Sequence, residues 1–329
     1  MRPVALVLAG YDKVDSKTKK KKEEEIREAY DGDVIYIGLN KFLRDLVGKP
    51  VIQYVIDAIY NAKKGGKRIY EKIYVYNDVD SFKRVIDVKR YPSLEIIQMT
   101  ESVGGHWKDF YFNHVEYGQR VDIFFGDTPR ITAGDVEWIH GEYNAILGRK
   151  KDHRGNLISL IYGIVEYEDM KDDNWLPHRI KFFKKKKNRD RLKSFVRFDT
   201  FQARVGNAGA MIKTPEIDGI IGNEAANFVY NLRKALNPKT LSRILYYLWK
   251  TKQFNIIKKV KNDSINEREM IDSLLGTLSY LHKADYSTTG GILYHIKKNG
   301  AHWENDIDGP LDFEAFRHHF EKMNTTRTR

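Results

Sequence analysis

Residues 4–10 read VALVLAG, an uninterrupted apolar run that ends in a glycine, and the rest of the chain can be ordered around it. A short apolar run of this kind is typical of a strand that is buried on both faces of a parallel sheet. The polar stretch YDKVDSK follows directly, which is not the pattern of a signal peptide. No apolar run reaches the ~18–20 residues that a membrane-spanning helix requires. We therefore expect a cytoplasmic protein whose first strand is an interior one.

Helix-like and strand-like segments alternate outward from this run. Residues 50–64 (PVIQYVIDAIYNAKK) repeat apolar side chains at helical spacing behind a proline, which predicts a helix. Strands are predicted at 72–78, 94–99 and 121–127, and a longer, exposed strand at 156–167. The alternation predicts an α/β fold in three layers with a mostly parallel sheet.

The pattern divides the chain into three parts. Residues 1–223 form an α/β domain that carries a long loop insertion at 12–38. Residues 224–285 are predicted as a late helical subdomain, and residues 286–329 as a return to the α/β core with a closing acidic turn and helix. The subdomain could shape a substrate pocket or form a homodimer contact, and the sequence leaves both roles open.

Composition excludes several classes of protein. The chain has 329 residues and no cysteine, which excludes disulfide scaffolds, iron–sulfur clusters and thiol catalysis. It has 57 basic and 45 acidic residues, a formal charge of +12, which favours an anionic partner. The lysine runs 19–22 and 184–187 fit solvated loops, a phosphate-attracting rim or nucleic-acid binding.

Candidate functional residues follow the ends of predicted strands, because ligands of parallel α/β sheets bind beyond the strands' carboxyl ends. Asp127 in GDTP ends an apolar strand and suits Mg²⁺, although it could instead cap the following helix. Asp306 and Asp308 share one side of an extended segment, and could also cap the closing helix. Lys41 could reach phosphates from a loop, or be solvated. Neither a dinucleotide-binding glycine motif nor a P-loop is present.

The order of four segments is specific enough to indicate a family. The segments LVLAG, NKFLRDLVGKPVIQYVIDAI, FFGDTPRIT and NDIDGPLDFEAF together resemble the MobA-like NTP transferases of the nucleotidyltransferase superfamily, which has a GT-A-like fold. The resemblance spans most of the chain, although it covers the helical subdomain weakly. It implies a sheet of the nucleotide-diphospho-sugar transferase type. It also implies a magnesium-dependent enzyme that transfers NMP from an NTP to a phosphorylated sugar, polyol or cofactor precursor and releases pyrophosphate.

The resemblance also implies a role for individual residues. It assigns catalysis to Lys41 and Asp127, and acceptor binding to Asn207. It assigns nucleotide binding to Leu8, Ala9, Gly10, Lys13, Lys41, Gln98, Thr100, Ser102 and Gly104. It assigns Mg²⁺ to Asp127, Asp308 and Asp306. Tyr11 stands where the family has a second glycine, so Lys13 or the lysine run would supply positive charge to the phosphates.

Two alternatives remain at this point. One is a GT-A glycosyltransferase that uses an NDP-sugar, although GDTP has a single aspartate where such enzymes carry D-x-D. The other is a catalytically silent nucleotide- or RNA-binding protein of the same fold, which the +12 charge and the altered glycine loop favour.

Overall fold

The computed structural model describes most of the α/β part of the chain. The described residues are 1–10, 40–100, 103–170, 196–221, 246, 255, 258–259, 262–282, 287–304, 306–307 and 310–327. The predicted loop insertion, both lysine runs and most of the predicted helical subdomain lie outside these residues, as do Lys13, Ser102 and Asp308.

The described chain alternates between strands and helices. The strands are β1 (Val4–Leu8), β2 (Lys63–Lys64), β3 (Lys67–Arg68), β4 (Ile73–Asn77), β5 (Leu94–Gln98), β6 (Arg120–Phe125), β7 (Ile158–Glu166), β8 (Val196–Arg197), β9 (Gln202–Ile212) and β10 (Gly290–His295). The helices are α1 (Val51–Asn61), α2 (Val79–Val85), α3 (Val103–Asn113), α4 (Ala133–Ile146), α5 (Tyr167–Met170), α6 (Pro215–Ile221), α7 (Glu267–His282), α8 (Gly300–Glu304) and α9 (Pro310–Arg327). Single 3₁₀ turns lie at Lys41–Leu43 and Val88–Arg90.

The strands form one central sheet in the order β10-β7-β9-β6-β1-β4-β5, with β8 paired to β9. Strand β1 is parallel to β4 and β6, β4 to β5, and β7 to β10. Strand β9 is antiparallel to both of its main neighbours, β6 and β7. The carboxyl ends of β1, β4 and β6 therefore meet at one edge, together with the amino end of β9. The expected mostly parallel α/β sheet is present.

Strand β1 shows why the fold has three layers. Ala5 and Val7 pack on one face of the sheet with residues of α1 and α4, whereas Val4 and Leu6 pack on the other with residues of α3. All four side chains are at most 2% exposed. Burial on both faces requires the continuous apolar run that 4–10 supplies. Among the described residues, no helix combines the length and the apolar character needed to cross a bilayer.

Two expectations about elements were wrong. The strand predicted at 156–167 as exposed is β7, which lies between β9 and β10 and is mostly buried. The helix predicted at 50–64 ends at Asn61, because the chain then turns into the β2–β3 hairpin. Gly65 and Gly66 close that hairpin with φ values of 57° and 76°, which glycine adopts readily. The predicted domain boundaries stay predictions.

Candidate active site

Asp127 lies just beyond the carboxyl end of β6, at the centre of the sheet. The Gly126 amide donates a 3.0 Å hydrogen bond to the Leu8 carbonyl oxygen, which joins the ends of β6 and β1. Asp127 is 7% exposed. The following helix, α4, begins at Ala133 and is capped by Thr132, whose side chain accepts from the Asp135 amide. Asp127 is therefore not the cap of that helix, and another role must account for a buried carboxylate here.

Lys41 lies directly against Asp127. Its Nζ atom is 2.5 Å from Oδ2 of Asp127, and it also donates to the carbonyl oxygen of Ile307. The Lys41 side chain is 21% exposed, so it is not a freely solvated lysine. Phe42, the next residue of the 3₁₀ turn, is buried and anchors that turn against the core. Two residues predicted to act on a triphosphate thus form one ion pair at the sheet edge.

The acidic segment near the chain's end reaches the same place through its backbone. The Ile307 amide donates a 3.0 Å hydrogen bond to the Asp127 carbonyl oxygen, and the Ile307 carbonyl accepts from Lys41. The residues Glu304, Asp306 and Ile307 are called the closing turn below. This turn brings Asp306 next to the end of β6, as the sequence interpretation required, while Asp308 lies outside the described residues.

Arg204, near the start of β9, holds the closing turn from the other side. Its guanidinium forms an ion pair with Glu304, and its Nη2 atom is 3.6 Å from Oδ1 of Asp306. The Arg204 side chain is 11% exposed, and the two carboxylates are 1% and 3% exposed. Asn207, the predicted acceptor-binding residue, donates to the Glu304 carbonyl oxygen at 3.4 Å. Buried carboxylates need such partners, because an unpaired buried charge is strongly unfavourable.

Asn77 connects the opening strand to the turn that carries Lys41. Its Nδ2 atom donates to the Ala9 carbonyl oxygen at 2.9 Å, and its Oδ1 atom accepts from Nδ2 of Asn40 at 2.8 Å. Asn77 is fully buried at the carboxyl end of β4. It therefore fixes Lys41, one residue beyond Asn40, relative to the end of β1.

Gly10 is small for a reason that the sequence did not show. A Cβ atom at this position would lie 2.1 Å from Cε1 of His106, so the imidazole already fills that space. His106 is 2% exposed, stacks on Tyr76 with ring centroids 5.1 Å apart, and has Nε2 3.2 Å from the Thr100 carbonyl oxygen. A carbonyl can only accept, so Nε2 carries the proton. Burial lowers the pKa of His106, although the Thr100 carbonyl opposes the shift, and the ring is neutral.

Three further residues are assigned to nucleotide binding by the resemblance, and they lie between the end of β5 and the first turn of α3: Gln98, Thr100 and Gly104. Gln98 ends β5, and its Oε1 atom accepts a 3.1 Å hydrogen bond from the Val79 amide at the start of α2. Thr100 offers its carbonyl to His106, and Gly104 lies in the first turn of α3. The structure thus brings Lys41 and Asp127 into direct contact, and the closing turn, which carries Asp306 and accepts a hydrogen bond from Asn207, contacts this pair through Ile307. It gives Gln98 a structural contact instead.

The charged side chains of the site determine whether it suits a magnesium ion. Lys41 and Arg204 face the carboxylates of Asp127, Glu304 and Asp306, two cations against three anions. The described residues contain no group of three metal-ligating side chains. Mg²⁺ commonly takes only one or two carboxylates and completes its shell with water and substrate phosphates. Asp127 and Asp306 are the two described carboxylates that the resemblance assigns to such a role, and each faces a cation, Lys41 at 2.5 Å and Arg204 at 3.6 Å respectively.

Four residues of this site were missed by sequence reasoning, namely Asn77, His106, Arg204 and Glu304. Asn77 follows an apolar strand in the same way as Asp127, so the rule that selected Asp127 could have selected it too. Arg204 is the one charged residue of β9, which is a weaker signal. His106 has no signal in the sequence, because its contact with Gly10 depends on how α3 packs.

Structure comparison identifies proteins with a similar chain course. A hypothetical transferase from Thermus thermophilus matches with a TM-score of 0.55 and 16% identity, over 95% of this chain and 100% of that one. A CMP:2-keto-3-deoxy-manno-octonic acid synthetase complexed with CTP (TM-score 0.43, 10% identity, 98% of each chain) is also found. So is a 4-diphosphocytidyl-2C-methyl-D-erythritol synthase from Anaerococcus prevotii (TM-score 0.47, 8% identity, 97% and 96%), but these two scores are too low to support an argument.

No family model and no curated protein sequence matches the chain. The likeness to the Thermus structure, together with the strand order, confirms the predicted fold class as far as a mostly parallel, three-layer α/β sheet. At 16% identity the likeness concerns the fold alone.

Proposed function

We propose that the chain is a nucleotidyltransferase that transfers NMP from an NTP to an anionic acceptor, a phosphorylated sugar, polyol or cofactor precursor. The observation that carries the proposal is the partly buried Lys41–Asp127 pair at the joined ends of β1 and β6, closed by the backbone of Ile307. An ammonium and a carboxylate at this edge of a parallel sheet suit a triphosphate and its cation. The motif order in the sequence points to the same chemistry.

The reaction needs positioning and charge stabilisation more than a nucleophilic side chain. An acceptor oxygen attacks the α-phosphorus, a new P–O bond forms, and the bond from the α-phosphorus to the bridging oxygen breaks as pyrophosphate leaves. Lys41 would exchange Asp127 for phosphate oxygens and stabilise the charge that develops on them. Asn207 and Arg204 would hold the closing turn against Asp127, so that the acceptor would bind against a rigid surface.

Mg²⁺ is the cofactor that this arrangement favours. Because the five charged groups of the site sum to a formal charge of −1, a triphosphate would meet repulsion unless it arrived with a cation. Asp127 would hold the ion together with the phosphates, and Asp308 is the second candidate ligand. A bound magnesium ion would neutralise the developing charge and orient the phosphates.

The first experiment measures binding before turnover. A thermal-shift screen of the four NTPs with and without Mg²⁺ should raise the melting temperature for the preferred base, because a ligand that binds only the folded state stabilises it. Pyrophosphate release from that NTP with a panel of sugar, polyol and other organic phosphates then identifies the acceptor.

Two variants make this test specific to the site. Asp127→Asn should reduce pyrophosphate release by at least ~100-fold, as expected for loss of a group that stabilises the transition state. Asp57→Asn is the matched control, because Asp57 also pairs with a lysine (Lys49, 2.6 Å) but contacts Tyr91 and none of the site residues. Intact activity in Asp127→Asn, or equal losses in both variants, would refute the assigned mechanism.

The same thermal-shift and turnover assays, extended to NDP-sugars and RNA, distinguish the proposal from the glycosyltransferase and the catalytically silent protein. A glycosyltransferase would bind or hydrolyse an NDP-sugar and release no pyrophosphate from any NTP. A catalytically silent protein would show a nucleotide-dependent thermal shift or RNA binding with no turnover.

A further inference from the structure

The β2–β3 hairpin carries four exposed cations and is turned away from the active site. Lys63 faces Arg68 and Lys64 faces Lys67 across its two-residue ladder. All four side chains are exposed. Both cross-strand pairs of this hairpin are therefore pairs of like charge.

This arrangement has a cost that no ion pair of the described residues offsets. Like charges directly opposite each other destabilise a strand pair, whereas opposite charges would stabilise it. Within the described residues, Lys63, Lys64 and Lys67 make no ion pair, and Glu137 contacts the Lys63 backbone amide rather than its ammonium. A like-charge strand pair that no ion pair compensates breaks this pairing rule, and such exceptions are expected mainly at functional positions.

Further basic residues lie next to the hairpin, where two arginine side chains are placed over tyrosine rings. The Arg68 guanidinium lies 3.8 Å from the centroid of the Tyr60 ring, which contacts the Tyr91 ring edge-on at 5.1 Å. Arg90 lies 5.7 Å from the Tyr91 centroid, and Lys89 precedes it in an exposed turn. The six cations Lys63, Lys64, Lys67, Arg68, Lys89 and Arg90 are called the basic surface below.

The basic surface lies at the edge of the sheet opposite to the active site. The hairpin precedes the amino end of β4, and Arg2, just before β1, donates from Nη2 to the Arg68 carbonyl oxygen at 2.7 Å. Lys41 and Asp127 lie beyond the carboxyl ends of the same sheet. A large anionic partner could bind here without blocking the substrate site.

We propose that the basic surface binds the phosphate backbone of a nucleic acid without reading its sequence. Clustered, exposed lysine and arginine side chains suit backbone phosphates, which account for most sequence-independent affinity. A membrane partner is less suited, because the hairpin tip is Gly65–Gly66 and offers no apolar side chain to insert into lipid. The proposal does not depend on the nucleotidyltransferase function.

The test is binding of a fluorescent 20-base-pair DNA duplex and the corresponding single-stranded RNA at 50–300 mM salt. The double variant Lys63→Gln/Lys67→Gln removes two cations, and Lys108→Gln/Lys322→Gln removes two exposed lysines from α3 and α9 as the matched control. Each lost phosphate contact lowers the salt slope for duplex by ~0.9, so raising salt from 50 to 200 mM should weaken the wild type about 12-fold more than the hairpin variant.

A third variant separates binding from folding. Lys64→Glu places a carboxylate opposite Lys67, so the melting temperature should stay equal or rise while affinity for nucleic acid falls. Equal losses in the hairpin and control variants would show that net charge alone is responsible, and would overturn the proposal. Absence of salt-dependent binding by the wild type, or tighter binding to anionic phospholipid vesicles than to nucleic acid, would overturn it as well.

Discussion

Replacing Arg204 by alanine is the most informative perturbation of the closing turn. The change removes the cation that faces both Glu304 and Asp306, whose side chains are 1% and 3% exposed. Neither carboxylate can reach bulk water without moving the turn. The variant must therefore bury uncompensated charge, take up protons, or release the turn from the end of β6.

The size of the effect follows from this burial. Removing one partner of a buried ion pair costs ~3–5 kcal/mol, because the remaining charge is left without compensation. At ~2.1 cal/mol/K per residue, unfolding of a chain of this length has an entropy of about 0.7 kcal/mol/K. The melting temperature of Arg204→Ala should therefore fall by roughly 4–7 °C at neutral pH.

Differential scanning calorimetry between pH 4 and pH 8 measures this loss and its pH dependence. The deficit should be largest near neutral pH and should shrink as the pH falls towards 4, because protonation removes the unpaired charges. Arg204→Lys keeps one positive charge and should recover part of the stability, although it lacks the guanidinium's fork of donors.

Enzyme kinetics distinguish a positioning role from a purely structural one. If Arg204 acts by holding the closing turn at Lys41 and Asp127, kcat for NMP transfer should fall well below wild type at temperatures where Arg204→Ala is fully folded. The lysine variant should restore part of kcat. A melting temperature within 1 °C of wild type, with unchanged kcat, would refute the reasoning that this ion pair holds the turn.

Three further perturbations test other parts of the structure. Gly10→Ala should destabilise the fold by ~1–3 kcal/mol in urea denaturation, and His106→Ala in the same chain should reverse part of that loss, because the new methyl group meets the imidazole. Burial raises the pKa of Asp135, but hydrogen bonds led by that from His302 outweigh it and hold the pKa below its usual value. Its contribution is therefore complete above about pH 4 and is lost as the pH falls through the folded-state pKa, so the melting-temperature difference between wild type and Asp135→Asn should narrow below about pH 4. Lys213→Met should cost ~1–3 kcal/mol in the same denaturation assay and leave NTP turnover unchanged, because Lys213 is buried and donates to two carbonyl oxygens at the end of α3.

Elements with a local signal could be predicted from the sequence. The run at 4–10 becomes β1, the helix behind Pro50 becomes α1, and the strand predicted at 121–127 becomes β6, because apolar periodicity reports burial within a single segment. The pairing of β7 could not be predicted this way. Its partner β10 follows more than a hundred residues later, and no pattern within 156–167 records that pairing.

The same distinction between local signals and long-range contacts applies to the residues of the site. Asp127 and Lys41 were predictable as chemistry at strand ends and from the motif order, but their 2.5 Å contact was not. Gly10 was selected as a small residue that lets a ligand approach the backbone, and that role stays a prediction. The neighbour that requires a small residue there is His106, whose approach depends on the packing of α3 against β4. Residue type can be predicted from local sequence, whereas its physical cause required the tertiary structure.

The closing turn is held against the site mainly through its main chain. Ile307 contributes its amide to Asp127 and its carbonyl to Lys41, and Asn207 binds the carbonyl of Glu304. These bonds use main-chain atoms of the turn, so they depend on the path of the chain rather than on the side chains at 304 and 307. Arg204 supplies the side-chain contact that fixes this path. The position of the turn beside Asp127 and Lys41 is therefore set mainly by the path of the chain, and the Arg204–Glu304 ion pair adds one side-chain contact to it.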